Sequence, residues 1–377
     1  MACWIVTLQG GPKRATQAAV ALNDKIYAFG SCWCTEPAET FGVHVLNTID
    51  YRWQRVPTRL FQPNPSQQFI DDSGQIYEPY GESPVHRVGH SVVEYKGKIY
   101  LWGGFCHEIG VLCSKMYCFD PEERTWSVIP CASSEATGRE KHTAVVFNDM
   151  MIVYGGSEDQ LHNNVWIYNF KRRIWFNMIV YGDIPRARMN HTACVIDDKM
   201  YVFGGVDFLH QELYLNVLDL RHCYWETPDV TGERPYGLVD ACCWVYKKQM
   251  YIFAGCRHED DRYIPGLFRY DPEISVWRKM HPFGLKGPSG RQRHCGVIVG
   301  DCAYVFCGLA QLISYNEMLG FGCLLEMCDL NVLNFNWKLK DLAAIAVLRY
   351  QLPRTSYNLP LELRIHLDMM TTPNHVL

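Results

Sequence analysis

The chain has 377 residues with 36 Lys and Arg against 40 Asp and Glu, which gives a formal net charge of −4. A nucleic-acid-binding surface needs clustered basic residues, so this balance argues against nucleic acid as a direct partner. Hydrophobic residues make up 48% of the chain and can fill a large core, yet no stretch approaches the roughly 18 consecutive apolar residues of a membrane-spanning helix.

The first residues, MACWIVTLQGG, lack the basic segment and the long apolar segment of a secretory signal peptide. The 17 cysteines are an odd number, spread through strand-like segments such as ACCWVY and AYVFCG. This distribution favours free thiols in a reducing compartment over a disulfide framework, so we expect a protein of the cytoplasm, the nucleus or both. Cys32 and Cys34 form the closest metal-like pair, but no second pair follows at zinc spacing, and we predict no metal site.

Six similar segments follow in chain order, most with two apolar runs joined by tight-turn residues such as ND, KG or DD. They cover residues 13–31, 86–104, 138–156, 186–205, 234–255 and 290–308. A further strand-like run follows each of the first five segments and carries a tryptophan. These tryptophans are Trp53, Trp126, Trp175, Trp225 and Trp277. The period of about fifty residues indicates a repeat architecture in which each repeat is one structural unit.

The pattern resembles the kelch repeat, which forms one four-stranded blade of a β-propeller. The resemblance covers residues 4 to about 335 and implies an all-β fold in which each tryptophan is an apolar plate between neighbouring blades. Trp4 is followed by a Gly-Pro segment, as Trp225 is followed by VTGERP. We therefore predict that the strand Trp4–Leu8 completes the last blade, whose third strand is 327–335, and closes a six-bladed ring.

The segment Thr58–Pro84 lengthens the first repeat, and its Pro, Gly, Ser and Gln content predicts a long surface loop. Two interpretations stay open, a loop that rims a binding face and a mobile loop without a role in binding. We predict that the propeller covers residues 1–336 and that a short helical tail covers residues 337–377.

No GxxxxGK[ST], HExxH or GxSxG motif occurs, so we expect a non-catalytic protein that needs no cofactor. An oxidase-like propeller enzyme is a further hypothesis, and it would require a bound metal. Histidines stand at the same place in four repeats. They are His90, His142, His191 and His294. A residue repeated in this way is more typical of a scaffold hydrogen bond than of a metal ligand.

An arginine stands three residues before each of these histidines. These arginines are Arg87, Arg139, Arg188 and Arg291, with Arg14 in register in the first repeat. The fifth repeat departs from the pattern with Leu238 and Ala241. One interpretation gathers the guanidinium groups at one mouth of the central channel, where they would bind carboxylates of a substrate. The other interpretation pairs each arginine with backbone carbonyls or acids of its own blade.

The last forty residues contain two apolar segments split by Pro353. KLKDLAAIAV predicts a helix with one apolar side formed by Leu339, Leu342, Ala343, Ala346 and Val347. LPLELRIHL carries a second stripe formed by Leu359, Pro360, Leu363 and Leu367. Alternation along this segment also permits a strand, but a closed propeller offers no edge to pair with, and a proline suits the first turn of a helix.

These segments resemble the BC-box and the cullin-2 box of substrate receptors in cullin-RING ubiquitin ligases. The resemblance implies that the first helix binds elongin C of the elongin B–elongin C pair through Leu339, Ala343 and Val347. It implies that the second helix contacts cullin-2 through Leu359, Pro360, Leu363 and Leu367. Ala343 stands where the box usually has a cysteine. The other interpretation is that both helices only cap the propeller.

Kelch receptors of this kind capture proteins by their C-terminal tails, so the resemblance implies a substrate-recognition subunit that reads C-degrons. In those relatives, arginines after the fourth double glycine and an Arg-Ser pair opening the next blade hold the terminal carboxylate. Here Val206, Leu238 and Val239 occupy these positions. Either Arg188 or Arg257 replaces them, or the ligand differs. The alternative function is a non-enzymatic scaffold that binds chromatin or cytoskeletal partners.

Overall fold

The computed structural model of the chain describes residues 2–12, 18–30, 41–62, 69–70, 76–77, 80–131, 136–209, 213–257, 262–311, 324–353 and 359–374. The candidate residues outside these ranges are Arg14, Cys32 and Cys34. The regular structure is all β-strand up to Asn334, and two helices follow, α1 (Leu339–Arg349) and α2 (Leu361–Thr371). Neither helix has the length and apolar character needed to cross a membrane. The strand-dominated fold with a helical tail agrees with the prediction.

Six sheets of the described residues contain four antiparallel main strands each, and we call them blades 1 to 6. The first strands are Ala18–Leu22, Val88–Tyr95, Thr143–Phe147, Thr192–Ile196, Cys242–Tyr246 and Cys295–Val299. The second strands are Lys25–Gly30, Lys98–Cys106, Met150–Tyr154, Lys199–Phe203, Gln249–Phe253 and Cys302–Phe306. The third strands are Gly42–Asn47, Met116–Asp120, Val165–Asn169, Asn216–Asp219, Leu267–Asp271 and Leu330–Asn334. The fourth strands are Arg52–Arg55, Thr125–Ile129, Ile174–Met178, Tyr224–Glu226, Val276–Met280 and Cys3–Leu8.

The fourth strand of blade 6 comes from the start of the chain. Cys3–Leu8 runs antiparallel to Leu330–Asn334, with Trp4 opposite Leu333. The first strand of each blade contacts the first strand of the next, and the first strand of blade 6 contacts that of blade 1. Cys3–Leu8 is therefore the fourth main strand of the sheet that contains Leu330–Asn334.

Short strands from the inter-blade connections flank several blades. Arg59–Leu60, Tyr181–Gly182, Thr231–Gly232 and Phe283–Gly284 run parallel to the fourth strands of blades 2, 4, 5 and 6. The other short strands are Phe69–Ile70, Ile76–Tyr77, Val111–Leu112, Leu238–Val239, Cys256–Arg257, Arg262–Tyr263, Leu309–Gln311 and Leu324–Glu326. The segment Thr58–Pro84, predicted as a surface loop, is thus held to blade 2 near its start, and Tyr80 also bridges to Val128.

A buried tryptophan on every fourth strand packs against the preceding blade. Each indole contacts an aromatic ring near the end of the neighbouring second strand. The pairs are Trp126–Phe29, Trp175–Trp102, Trp225–Tyr154, Trp277–Phe203, Trp4–Phe253 and Trp53–Phe306, with ring centroids 4.9–6.0 Å apart. Large aromatic surfaces dominate core energetics because they remove much apolar area from water. The predicted role of the tryptophans as plates between blades is confirmed.

Candidate functional site

Among the described residues, five that directly precede the histidine position of the first strands lie next to one another across blades 2 to 6, and we call this set the mouth ring. They are Gly89, Lys141, Asn190, Asp240 and Arg293, all with a left-handed backbone at φ 53–67°. Each N–H from Lys141 onward donates to the carbonyl of the ring residue in the preceding blade, at 2.8–3.3 Å. The left-handed region is unfavourable for residues other than glycine, so these hydrogen bonds hold the backbone in a conformation that the side chains alone would not choose.

A cavity of about 460 Å³ opens at the mouth ring. Its wall consists of the mouth ring, the four repeat histidines, Ala241, and four further residues of blades 2 and 3, which are Val88, Phe105, His107 and Glu140. The volume lies in the roughly 300–1,000 Å³ range of ligand pockets. The cavity is therefore the candidate binding site of the propeller.

The charges at the cavity wall come as two pairs of opposite sign. Lys141 Nζ lies 2.8 Å from Glu140 Oε1, and Arg293 Nε lies 3.3 Å from Asp240 Oδ2. Burial raises the pKa of the Asp240 carboxyl, and the positive charges of Arg293 and Lys141 oppose this effect. Both cations of the wall thus already face a carboxylate, and an anionic ligand must compete with it.

The four repeat arginines do not line this cavity. Each guanidinium lies inside its own blade. It donates to a backbone carbonyl near the end of the second strand, sixteen residues later in the chain, at 3.0–3.3 Å. These donor–acceptor pairs are Arg87–Gly103, Arg139–Gly155, Arg188–Gly204 and Arg291–Cys307. All four side chains are at most 2% exposed. The structure therefore matches the interpretation in which each arginine pairs within its own blade, and it does not bring the four groups together in the cavity.

Further acceptors near the third strands complete most of these arginine sites. Arg139 donates to Asn164 at 2.8 Å, Arg188 to Asn216 at 2.6 Å, and Arg291 to both carboxylate oxygens of Asp329 at 2.6 and 2.8 Å. In blade 2 the guanidinium of Arg87 lies over the ring of Tyr117, 4.9 Å from its centroid.

Arg257, the remaining candidate, lies on the short strand Cys256–Arg257 and stacks on the ring of Tyr236 at 4.4 Å. The departures from the family pattern are apolar and buried, since Val206, Leu238 and Val239 are each at most 8% exposed. A carboxylate-binding role for Arg257 stays a prediction.

Two of the repeat histidines, His142 and His191, act as latches between blades. His142 Nε2 is hydrogen-bonded to Ser91 Oγ of blade 2, and His191 Nε2 to Thr143 Oγ1 of blade 3, both at 2.8 Å. Gly155 has φ +67° and lies against His191, where an added Cβ would come within 2.7 Å of Cε1. The prediction of scaffold hydrogen bonds is confirmed for these two histidines. Among the described residues, no cluster of three or more His, Cys, Asp and Glu is arranged to hold a metal.

The helices α1 and α2 pack on each other and on the seam between blades 6 and 1. His366 Nε2 of α2 lies 3.0 Å from Asp341 Oδ1 of α1, and both side chains are buried. The second oxygen of Asp341 accepts the N–H of Lys338 at 2.8 Å and so caps the start of α1. Accepting these hydrogen bonds lowers the pKa of the Asp341 carboxyl, although burial acts in the opposite direction.

The predicted partner-binding residues of the tail are divided between a buried and an exposed side. Val347 and Leu367 are buried in the core that the tail shares with blades 6 and 1. Leu339 is 81% exposed, and Pro360 is also exposed. The half-buried remainder of the set is Ala343, Leu359 and Leu363. The free side of the tail thus contains part, not all, of each predicted contact set.

Asn374 ties the end of the tail to the propeller. Its side-chain oxygen accepts the N–H of Trp53 at 3.0 Å, and its side-chain nitrogen donates to Tyr51 O at 3.1 Å. Its own N–H donates to Gln9 O at 2.8 Å. The side-chain amide therefore pairs with the backbone at the outer edge of blade 1, next to its fourth strand. In blades 2, 4, 5 and 6 a short connecting strand pairs with the backbone of this edge.

Sequence reasoning missed the mouth ring and Asn374. The aligned repeats do mark the mouth ring, because each of its residues occupies the same repeat position, directly before the histidine position. Three of them, Lys141, Asp240 and Arg293, carry charges whose sign differs from blade to blade. Nothing local marks Asn374, since its partners lie more than 300 residues away in the chain.

A family model and individual proteins that resemble this chain all contain kelch repeats. Residues 89–308 match the family model described as the KLHDC2/KLHL20/DRC7 Kelch-repeats domain. Kelch domain-containing protein 3 of Rattus norvegicus and that of Homo sapiens are each 31% identical over 389 aligned positions, covering 99% of this chain and 97% of the relative. Kelch domain-containing protein 2 of Bos taurus is 27% identical over 215 positions, covering 48% of this chain and 53% of the relative.

Proposed function

Because the chain belongs to the kelch-repeat family that includes Kelch domain-containing protein 3, a family of β-propeller protein-binding domains, we propose that it is a substrate-recognition subunit of a cullin-2 RING ubiquitin ligase. In this proposal the propeller binds a substrate protein, and the tail binds elongin B, elongin C and cullin-2. The protein is then a non-catalytic adaptor of the cytoplasm or nucleus that delivers substrates for ubiquitination.

The propeller domain of this proposal, residues 1–336, is a six-bladed ring closed by the N-terminal strand. Two observations support closure. Trp53 of blade 1 packs on Phe306 of blade 6 at 5.0 Å, and Cys3–Leu8 pairs with Leu330–Asn334 inside blade 6. A closed ring removes the open sheet edges that otherwise favour aggregation.

The observation that carries the ligase proposal is the free apolar side of the tail, residues 337–377. Leu339 at the start of α1 and Leu361 at the start of α2 are 81% and 63% exposed, although the opposite sides of both helices are buried. Exposed apolar side chains clustered on a protein surface indicate a binding partner. Leu339 and Ala343 would contact elongin C, and Leu359, Pro360 and Leu363 would contact cullin-2.

Val347 and Leu367 take a different part in this proposal. Both are buried beneath the tail, at 4% and 1% exposure, so they position the helices on the propeller rather than meet a partner directly.

The test is recovery of elongin B–C and cullin-2 with the purified full-length chain. Leu339→Arg should abolish elongin recovery, because a guanidinium replaces an apolar anchor, and Pro360→Ala should weaken cullin-2 recovery only. Leu324→Arg on blade 6 is the matched control, an exposed leucine outside the tail that should change neither. Wild-type protein that recovers neither partner, or full recovery with Leu339→Arg, contradicts the proposal.

The substrate part of the proposal places a C-terminal tail in the mouth cavity. Its terminal carboxylate would meet Arg293 or Lys141, which are the cations of the wall. A peptide library with free C-termini tests this, with the same peptides amidated at the C-terminus as the control. Selective binding that amidation removes is the expected result, and a flat profile or one that amidation leaves unchanged rejects tail recognition.

One observation favours the second candidate, a non-enzymatic scaffold for chromatin or cytoskeletal partners. The tail packs on the propeller through Ile345, Leu367 and Met370, all at most 5% exposed, as a simple cap would. This candidate predicts that elongin is never recovered and that Leu339→Arg leaves every partner in place.

A further inference from the structure

The joint between blades 4 and 5 uses a thiol where the joints between blades 2 and 3 and between blades 3 and 4 use an imidazole. Ser91 of blade 2 bonds His142 of blade 3, and Thr143 of blade 3 bonds His191 of blade 4. The next hydroxyl in this series, Thr192 Oγ1, instead donates to Cys243 Sγ of blade 5 at 2.9 Å.

The reason for this exchange is Ala241, which stands at the histidine position of blade 5. Its methyl group offers the Thr192 hydroxyl no acceptor. Side chains two residues apart on a strand point to the same face, so Cys243 lies on the face of Ala241, one step further along the strand. Ala241 itself lines the mouth cavity. The thiol is therefore next to the candidate binding site.

A second thiol completes the arrangement. Cys194 of blade 4 is buried and packs in the same core cluster as Cys243. The interactions of Cys243 with Cys194 and with the Thr192 hydroxyl lower the pKa of Cys243 against the opposing effect of burial, and the pKa of Cys194 is raised. The thiolate is the reactive form of cysteine, so Cys243 is the nucleophile of the pair.

We propose that Cys243 and Cys194 are an oxidisable dithiol at the joint of blades 4 and 5, with hydrogen peroxide or an organic hydroperoxide as the oxidant. The Cys243 sulfur attacks one peroxide oxygen, the O–O bond breaks, and the other oxygen leaves as water or alcohol after protonation. The Cys194 sulfur then attacks the resulting sulfenic acid, the S–S bond forms, and a water leaves. Two electrons pass from the two thiols to the peroxide, and the bond joins two adjacent first strands beside the mouth cavity.

The decisive measurement is disulfide mapping of the reduced, folded full-length protein after limiting hydrogen peroxide. The thiols are blocked, the protein is digested, and cross-linked peptides are identified by mass. We expect a Cys194–Cys243 peptide pair as the first and main product. Cys242→Ser is the matched control, since this neighbouring thiol points to the other face of the strand, and it should give the same product. A main product that joins other thiols, or both thiols still reduced when other cysteines are oxidised, overturns the proposal.

Variants resolve the order of the two steps. Cys194→Ser should stop the reaction at a Cys243 sulfenic acid, which a dimedone probe captures, and Cys243→Ser should leave Cys194 reduced. Thr192→Val removes one hydrogen-bond donor and should slow the first step by about fivefold, the effect of one ordinary hydrogen bond. If Cys194 instead forms the sulfenic acid in the Cys243→Ser variant at the wild-type rate, the assignment of the nucleophile is wrong. The mapping of the wild-type protein decides the proposal even if a variant does not fold.

Discussion

Blades 6 and 5 have the same four strands and the same outer tryptophan, but their interiors differ. Blade 6 buries Arg291 against Asp329, which lies directly before its third strand. Blade 5 has Leu238 at the arginine position and Gly266 directly before its third strand, so both charges are replaced together. A buried charge without its partner is costly, whereas an apolar replacement of both is tolerated. The strands and the tryptophan therefore build a blade, and blade 5 shows that an apolar replacement of both the arginine and the acid is compatible with it.

The histidines provide the largest expected contrast, because blade 5 has Ala241 where four other blades bury an imidazole. Burial, reinforced by a nearby arginine, lowers the pKa of His90, His142 and His294 from 6.5 to about 3, and that of His191 well below 6.5. Below pH 6.5 the unfolded chain binds protons that the folded chain does not, so stability is full above this pH and falls as the pH decreases toward 3.

Each histidine should lower the free energy of unfolding by about 1.4 kcal/mol per pH unit in that window. Urea unfolding between pH 7 and pH 5 measures the slope. His142→Gln should reduce this slope by about 1.4 kcal/mol per pH unit, which corresponds to one proton, because a glutamine does not titrate. A slope equal to that of the wild type would show that this imidazole is not held neutral by the fold.

Arg291→Leu tests the pairing rule in blade 6. It leaves the Asp329 carboxylate buried without its guanidinium, and we expect a loss of about 3–5 kcal/mol in the free energy of unfolding by urea. The double variant Arg291→Leu with Asp329→Gly reproduces the pair found in blade 5 and should be less destabilised than the single variant. Equal stability of the two variants would contradict the rule.

Asn374→Ala tests whether a side-chain amide replaces a strand at the edge of blade 1. The variant loses the hydrogen bonds to Trp53 N–H and Tyr51 O, with an expected cost of about 1–3 kcal/mol. Hydrogen exchange at the Trp53 amide should accelerate, while the Trp277 strand of blade 5, which has a true flanking strand, stays protected. Unchanged exchange at Trp53 would mean that the tail does not protect this edge.

Ala241→His gives blade 5 the latch found in blades 3 and 4 and has the smallest expected effect. The new imidazole would compete with Cys243 for the Thr192 hydroxyl, so one hydrogen bond replaces another, and stability should change by less than about 1 kcal/mol. Labelling of Cys243 in the folded protein should slow, because its thiolate loses a donor. Faster labelling would indicate that the larger side chain forces the joint open.

The sequence by itself determined the repeat, the tryptophans, the pairing of the N-terminal strand with the third strand of the last repeat, and the tail with its two helices. These features follow from local periodicity and from residues that recur in register, and both are visible in one dimension. Proline at 360 and the lack of a free edge were sufficient to choose helix over strand for the second tail segment.

Only the tertiary structure decided what the repeated polar residues do. The sequence allowed two interpretations of the arginines, a cluster at the mouth of the central channel and pairing within their own blades. It does not specify which carbonyl a buried guanidinium donates to. The mouth ring, the Thr192–Cys243 joint and the Asn374 contact each connect different blades or opposite ends of the chain. Hydrogen bonds of that kind depend on how whole blades are placed against one another, and residue patterns within a single blade do not specify that placement.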